Sequence, residues 1–181
     1  MRKPDEQRLF NRAVFYLGRF AASERHLADV LRRKALREAA AHDMPPSQVE
    51  AMIEAVLARL RAAGYLDDDR YAAAKARSLA GRGRSQGAIR ATLARKGVGR
   101  ETATAAVAGL REEGPDPELA AAVALARRRR LGPWRASEER AAARQRDLGV
   151  LARAGFPADV ARKVLDAASE DELLEDLAAE D

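Results

Sequence analysis

The chain contains no cysteine, which excludes disulfides and thiolate metal sites. Histidine is almost as scarce. Only His26 and His42 occur, one at a helix start and one beside a helix breaker, and neither belongs to a constellation of catalytic groups. Aromatic residues are 4% of the 181 residues, and alanine supplies much of the 47% that is hydrophobic. A chain of this kind buries a thin core, which suits small helical units better than one large globule. No stretch approaches a membrane span, and the opening MRKPDEQRLF lacks the apolar run of a signal peptide, so a cytoplasmic protein is expected. The segment Gly81-Arg82-Gly83-Arg84 has glycines and charge but lacks the strand, the spacing and the Lys-Ser/Thr of a phosphate-binding P-loop. Helix capping accounts for the Leu66-Asp67-Asp68-Asp69 run without an ion. No enzyme, cofactor or metal site is expected.

What the chain has is positive charge, unevenly spread. Lys and Arg total 33 against 28 Asp and Glu, a net charge of +5 that favours an acidic partner, either nucleic acid or an acidic protein surface. An arginine-rich composition is the bland account of the same total. The distribution is more telling. From Arg70 to Arg100 the chain holds Arg70, Lys75, Arg77, Arg82, Arg84, Arg90, Arg95, Lys96 and Arg100 and no acid at all. Beyond Lys163 the balance reverses, with acids from Asp166 to Asp181 and no base. Residues 169–181 are expected to be a disordered or loosely docked acidic tail.

The basic stretch also carries the clearest structural signals. Asp67 is placed to cap a helix, Leu66 and Tyr71 to clasp across its first turn, and Asp68 and Asp69 to complement its dipole. That helix stops at Gly81 or Gly83, and Ser85 caps a second in which Ile89 and Leu93 face inward. Aligning Ser23 with Ser85 reveals a repeat: Leu27 matches Ile89, Leu31 matches Leu93, and Arg33-Lys34 matches Arg95-Lys96. The first repeat then predicts helices over 7–20 and 24–40, and a third that starts from a Ser47/Glu50 capping box and is striped by Val49, Ile53, Val56, Leu57 and Leu60. The central repeat closes with a helix from about Arg100 to Leu110, whose Thr102 and Ala106 predict a weak pack. After Gly114, Pro115 and Pro117 comes a helix ending in Arg127-Arg128-Arg129-Arg130, then a Leu-Gly-Pro-Trp turn and a helix starting at Ser137. Arg153-Ala154-Gly155-Phe156 lies where the central repeat has Arg95-Lys96-Gly97-Val98, and Val160, Val164 and Leu165 continue the pattern. The expected architecture is all-α. Three tandem three-helix repeats, 1–63, 64–114 and 115–168, form an elongated, curved row.

The residues GYLDDDRYA, then GRG followed by AIRATLARKGV, resemble the central repeat of the RecX regulatory proteins. The resemblance extends over roughly residues 9–168 and is firmest in the middle third. It implies a small helical protein, a monomer, that binds the RecA recombinase filament and restrains its activity or assembly, within DNA recombination, repair and the SOS response. Under that reading Arg70, Arg77, Arg82, Arg84, Arg90, Arg95, Lys96 and Arg100 are the candidate basic face, meeting acidic side chains of the filament or its DNA. The alternative is a direct, non-specific binder of single- or double-stranded DNA. Against it, Trp134 and Tyr65 are nearly the only stacking residues expected outside the core, whereas non-specific strand binders usually combine basic grooves with several aromatics.

Overall fold

The computed structural model describes residues 2–112 and 116–179, and among them every regular element is helical. Two compact units emerge. One gathers the described residues up to 72 together with 94–99; the other gathers 73–93 with the described residues from 100 onward. The units do not coincide with the three sequence repeats.

In the first unit, α1 (Glu6–Leu17), α2 (Glu24–Ala40) and α3 (Pro46–Ala62) present apolar stripes at helical spacing. Leu9 and Ala13, Leu27 and Leu31, and Val49, Ile53 and Leu57 are buried together. Helix α1 ends earlier than the expected Phe20, because Gly18 caps it after Leu17. The expected capping box is also absent. Pro46 takes the first position of α3, where its missing N–H costs nothing, so Ser47 lies inside the helix and makes no cap. Among the described residues, ion pairs tie the unit together: Arg12–Glu38, whose carboxylate is buried, and Arg32–Asp29, Arg32–Glu50, Arg59–Glu6 and Arg61–Glu24 nearer the surface.

Helix α4 (Asp68–Ala80) starts as the sequence predicts, with Asp67 accepting the Arg70 N–H at 2.8 Å. Helices α5 (Gln86–Arg95) and α6 (Arg100–Ala108) follow, with Ile89 and Leu93 buried. On α6 the buried positions are Ala103 and Val107, and Thr102 and Ala106 are only half-buried. Gly114 and Pro115 lie outside the described residues. Helices α7 (Pro117–Arg129), α8 (Ser137–Arg153), α9 (Ala158–Asp166) and α10 (Glu170–Ala179) share a core that includes Leu119, Leu151, Phe156 and Val164.

Of the acidic segment expected to be disordered or loosely docked, the described part, Glu170–Ala179, is the helix α10. Leu173 is wholly buried in that core, Glu170 pairs with Arg127, and Asp176 pairs with Lys163 at 3.3 Å. The acidic composition suggested a solvated segment, but one leucine per turn facing inward is enough to dock a helix when a hydrophobic seat exists.

The two aligned serines perform the same task. The buried Ser23 hydroxyl accepts the His26 N–H and donates to the Lys96 carbonyl. The buried Ser85 hydroxyl accepts the Ala88 N–H at 3.3 Å and donates to the Ala154 carbonyl at 2.9 Å. Each acceptor is a carbonyl at a helix end, with no partner further along its own helix. An acid completes each joint: Asp68 accepts the Glu24 N–H at 2.8 Å, and Glu118 accepts the Gln86 N–H at 2.7 Å. The next residues, Gly97 and Gly155, have φ of +83° and +88°, and a Cβ there would strike Arg25 and Ser85.

Glu118 gives the joint a testable signature. Burial, above all, raises its carboxyl pKa. The folded state therefore holds the proton more tightly than the unfolded one. Its contribution to stability falls as pH rises through a window that opens at the ordinary carboxylate value, about 4.3. Glu118→Gln retains an acceptor without the buried charge, so its melting temperature at pH 7 should equal or exceed the parent's, with a flatter profile across that window. Glu118→Ala should cost about 1–3 kcal/mol, because the Gln86 N–H loses its partner. Melting curves of the two variants between pH 4 and pH 8 check both, and equal losses in both would refute the joint's role.

Candidate functional site

The expected basic residues divide between the two units. Arg70, Arg95 and Lys96 belong to the first; Arg77, Arg82, Arg84, Arg90 and Arg100 belong to the second. All are exposed except Lys96, which is half-buried and whose carbonyl serves Ser23. Arg70, Arg77, Arg90 and Arg100 project from helices, while Arg82 and Arg84 lie on the turn between α4 and α5.

Within the second unit that turn is pressed against α7. Gly83 sits at φ +70°, and a Cβ on it would lie 2.8 Å from the Leu125 backbone nitrogen. Arg128 Nη1 donates to the Arg82 carbonyl at 2.8 Å. The Ser85 hydroxyl, holding the Ala154 carbonyl, brings in the C-terminal end of α8. The result is a cleft of 290 Å³ rimmed by Arg84, Arg128, Arg129 and Arg153 over Leu125, Val150 and Ala154. Of the expected site residues, only Arg84 lines it; Arg77, Arg90 and Arg100 do not. The sequence reading missed Arg128, Arg129 and Arg153 as site residues. Both signals were present: the four-arginine run at 127–130, and the repeat that aligns Arg153 with Arg95.

The first unit has a cleft too, of 600 Å³, with the opposite electrostatics. Glu24, Asp29, Glu54 and Asp68 line it beside Arg25 and Arg32. Arg32 is engaged by Glu50 at 2.7 Å and Asp29 at 2.5 Å, and the hydrogen bonds it donates to Glu50 are the main reason its pKa is raised. Glu50 is correspondingly lowered by Arg32.

The exposed aromatics also differ from expectation. Trp134 is only partly exposed, packs against the second core, and donates its indole N–H to Glu170 at 2.8 Å, so it is not a free stacking face. Tyr65 is exposed as expected, joined by Phe15 and Phe20 at 64% and 56% exposure. The Arg19 guanidinium lies 4.5 Å above the Phe15 ring. Among the described residues no group of three or more His, Asp or Glu side chains is placed to hold a metal ion. No described helix is long and apolar enough to cross a membrane.

Comparison with known proteins adds an independent line. The family model of the second three-helix domain of RecX matches residues 67–107. The chain is 40% identical over 166 residues to the Regulatory protein RecX of Myxococcus xanthus (strain DK1622), covering 91% of this chain and 88% of that one. It is 35% identical over 155 residues to the protein of the same name from Agrobacterium fabrum (strain C58 / ATCC 33970), covering 86% and 80%. A crystal structure of regulatory protein RecX superposes with a TM-score of 0.61 at 25% identity, over 90% of this chain and 72% of the other.

Proposed function

This chain belongs to the RecX family of regulatory proteins, and we propose that it acts by binding the RecA–DNA filament and restraining its recombinase or ATPase activity or its assembly. The observation that supports this most is the inequality of arginine pairing. In the first unit Arg12, Arg32, Arg59 and Arg61 are engaged by carboxylates, whereas Arg82 and Arg84 stand on the turn between α4 and α5, side chains exposed, with no carboxylate paired to them among the described residues. Exposed guanidinium groups held by backbone geometry are available to phosphates or to acidic side chains of a partner.

The test is co-sedimentation with preformed RecA–DNA filaments, run beside naked DNA at matched salt. Parent protein should pellet with filaments and lower their DNA-dependent ATP hydrolysis. The variant Arg82→Glu/Arg84→Glu/Arg90→Glu should bind filaments about tenfold more weakly or worse, since like charges would now face an acidic partner. Its melting curve should barely move, because exposed charges contribute roughly 0–1 kcal/mol per pair. A variant that pellets like the parent would reduce these residues to a solvated face.

Direct strand binding is the second reading. The exposed Phe15, Arg19 and Phe20 favour it, since aromatic rings with interleaved cations are what unstacked bases use. Salt separates the two. Phosphate contacts give a log–log salt slope of about 0.7–0.9 per contact, and a flatter dependence favours protein–protein contact.

A further inference from the structure

Four arginines near the C-terminus are consumed by structure. Arg127 pairs with Glu170, Arg135 with Asp147, and Arg144 with Asp166, while Arg140 donates to three backbone carbonyls. Arg84, Arg129 and Arg153 are not used this way, and Arg128 donates only to the Arg82 carbonyl. Among the described residues none of the four is paired with a carboxylate, yet they meet around one cleft. The cleft of the first unit, lined by other positions of the repeat, is a contrast within the same chain. It belongs to the same arginine-rich chain, and acids nevertheless balance its arginines. Composition therefore does not explain the imbalance. Assembling four like charges is unfavourable in itself, and here Gly83, the Ser85 hydroxyl and the Arg128–Arg82 hydrogen bond hold them in place.

We propose that this cleft is a binding site for closely spaced phosphate groups, presented by a nucleic-acid strand. Guanidinium forks match phosphate oxygens two at a time, and converging cations are better neutralised by a run of charges than by one carboxylate. Leu125, Val150 and Ala154 give the cleft an apolar floor that accepts a sugar between its phosphates. Its 290 Å³ is at the small end of ligand sites, the scale of about one nucleotide. The proposal deepens the filament reading by giving DNA phosphate a place on this chain, and rests on that reading only for where the strand is met.

Fluorescence anisotropy with a labelled oligothymidylate, without RecA, tests it. The variant Arg84→Gln/Arg129→Gln/Arg153→Gln leaves Arg128 to hold the turn. It should bind about 30-fold more weakly at low salt, and its log–log salt slope should be smaller by about 2. A charge-matched variant of the first unit, Arg2→Gln/Arg33→Gln/Arg37→Gln, should bind close to the parent. Equal losses in both variants, no loss in the cleft variant, or a parent that does not bind the strand would each overturn the proposal. Competition identifies the ligand. Displacement of the strand by polyglutamate as readily as by unlabelled strand would make the cleft an acidic-protein site instead. Cleft-dependent binding of inorganic tripolyphosphate with strand binding untouched would overturn the strand as the source. Because RecA is absent, failure here leaves the filament reading standing, and failure of co-sedimentation leaves this one standing.

Discussion

Leu173→Ala should destabilise the second unit by about 2–5 kcal/mol and release α10 from its seat. Leu173 is wholly buried among side chains that include Leu119, Phe156 and Val164, and no other residue from Glu170 to Ala178 is buried. The helix's remaining ties are Leu177, partly buried against the same core, and surface contacts: Glu170 with Arg127 and Trp134, Asp176 with Lys163, and Glu172 accepting the Ala168 N–H at 2.7 Å. Each surface contact contributes little when exposed to water. Leu174, at 45% exposure, is the control, and its replacement by alanine should stay within about 0.5 kcal/mol. Chemical denaturation gives the energies, and hydrogen exchange over residues 170–179 gives the release. Slow exchange in Leu173→Ala, or a denaturation midpoint equal to the parent's, would show that α10 is held by something else. It follows that deleting residues 169–181 removes part of a core and not only a solubilising appendage.

Gly83→Ala should cost about 2–4 kcal/mol, whereas Gly87→Ala, four residues on, should stabilise by about 0.5–1 kcal/mol. At Gly83 the backbone is left-handed, and the added Cβ would meet the Leu125 nitrogen at 2.8 Å and the Ala121 carbonyl oxygen at 3.0 Å. Those are main-chain atoms of α7, so no side chain can swing aside. At Gly87 the Cβ meets nothing within 4 Å, and the helix gains from the lost flexibility of the unfolded chain. For a chain of this length, 1 kcal/mol moves the melting temperature by about 2–4 °C, so the two variants should melt well apart. The displaced turn carries Arg84 with it, so Gly83→Ala should also weaken oligothymidylate binding. Two variants melting together would contradict the close approach.

Much of this was legible in the sequence because it is local. Asp67 and Ser85 announce their helices by position alone, and α2 runs over the residues its apolar spacing implies. The Ser23–Ser85 alignment identified equivalent residues. It could not show that both hydroxyls also reach carbonyls 73 and 69 residues further along the chain. Long-range hydrogen bonds leave no periodic trace. Asp147 makes the same point. It reads as a surface polar residue of α8, yet it is buried, held by Arg135 at 3.0 Å and by the Gly132 N–H at 3.4 Å. Where local signals compete, the stronger backbone constraint wins, as Pro46 did over the Ser47/Glu50 pair. The arginine cleft was hidden for a further reason. Its members come from three separate stretches of sequence, and only tertiary packing makes them neighbours.

The serine joints also fix an order of events during synthesis. Ser23 is translated 73 residues before the carbonyl it holds. The first three helices can collapse on one another as they leave the ribosome, but the hydroxyl at the head of α2, already accepting the His26 N–H, does not reach the carbonyl it donates to until Lys96 emerges. Ser85 waits in the same way for Ala154. Each of the first two repeats is therefore finished by its successor, and a ribosome stalled before Lys96 would present a first repeat that is folded yet unfastened.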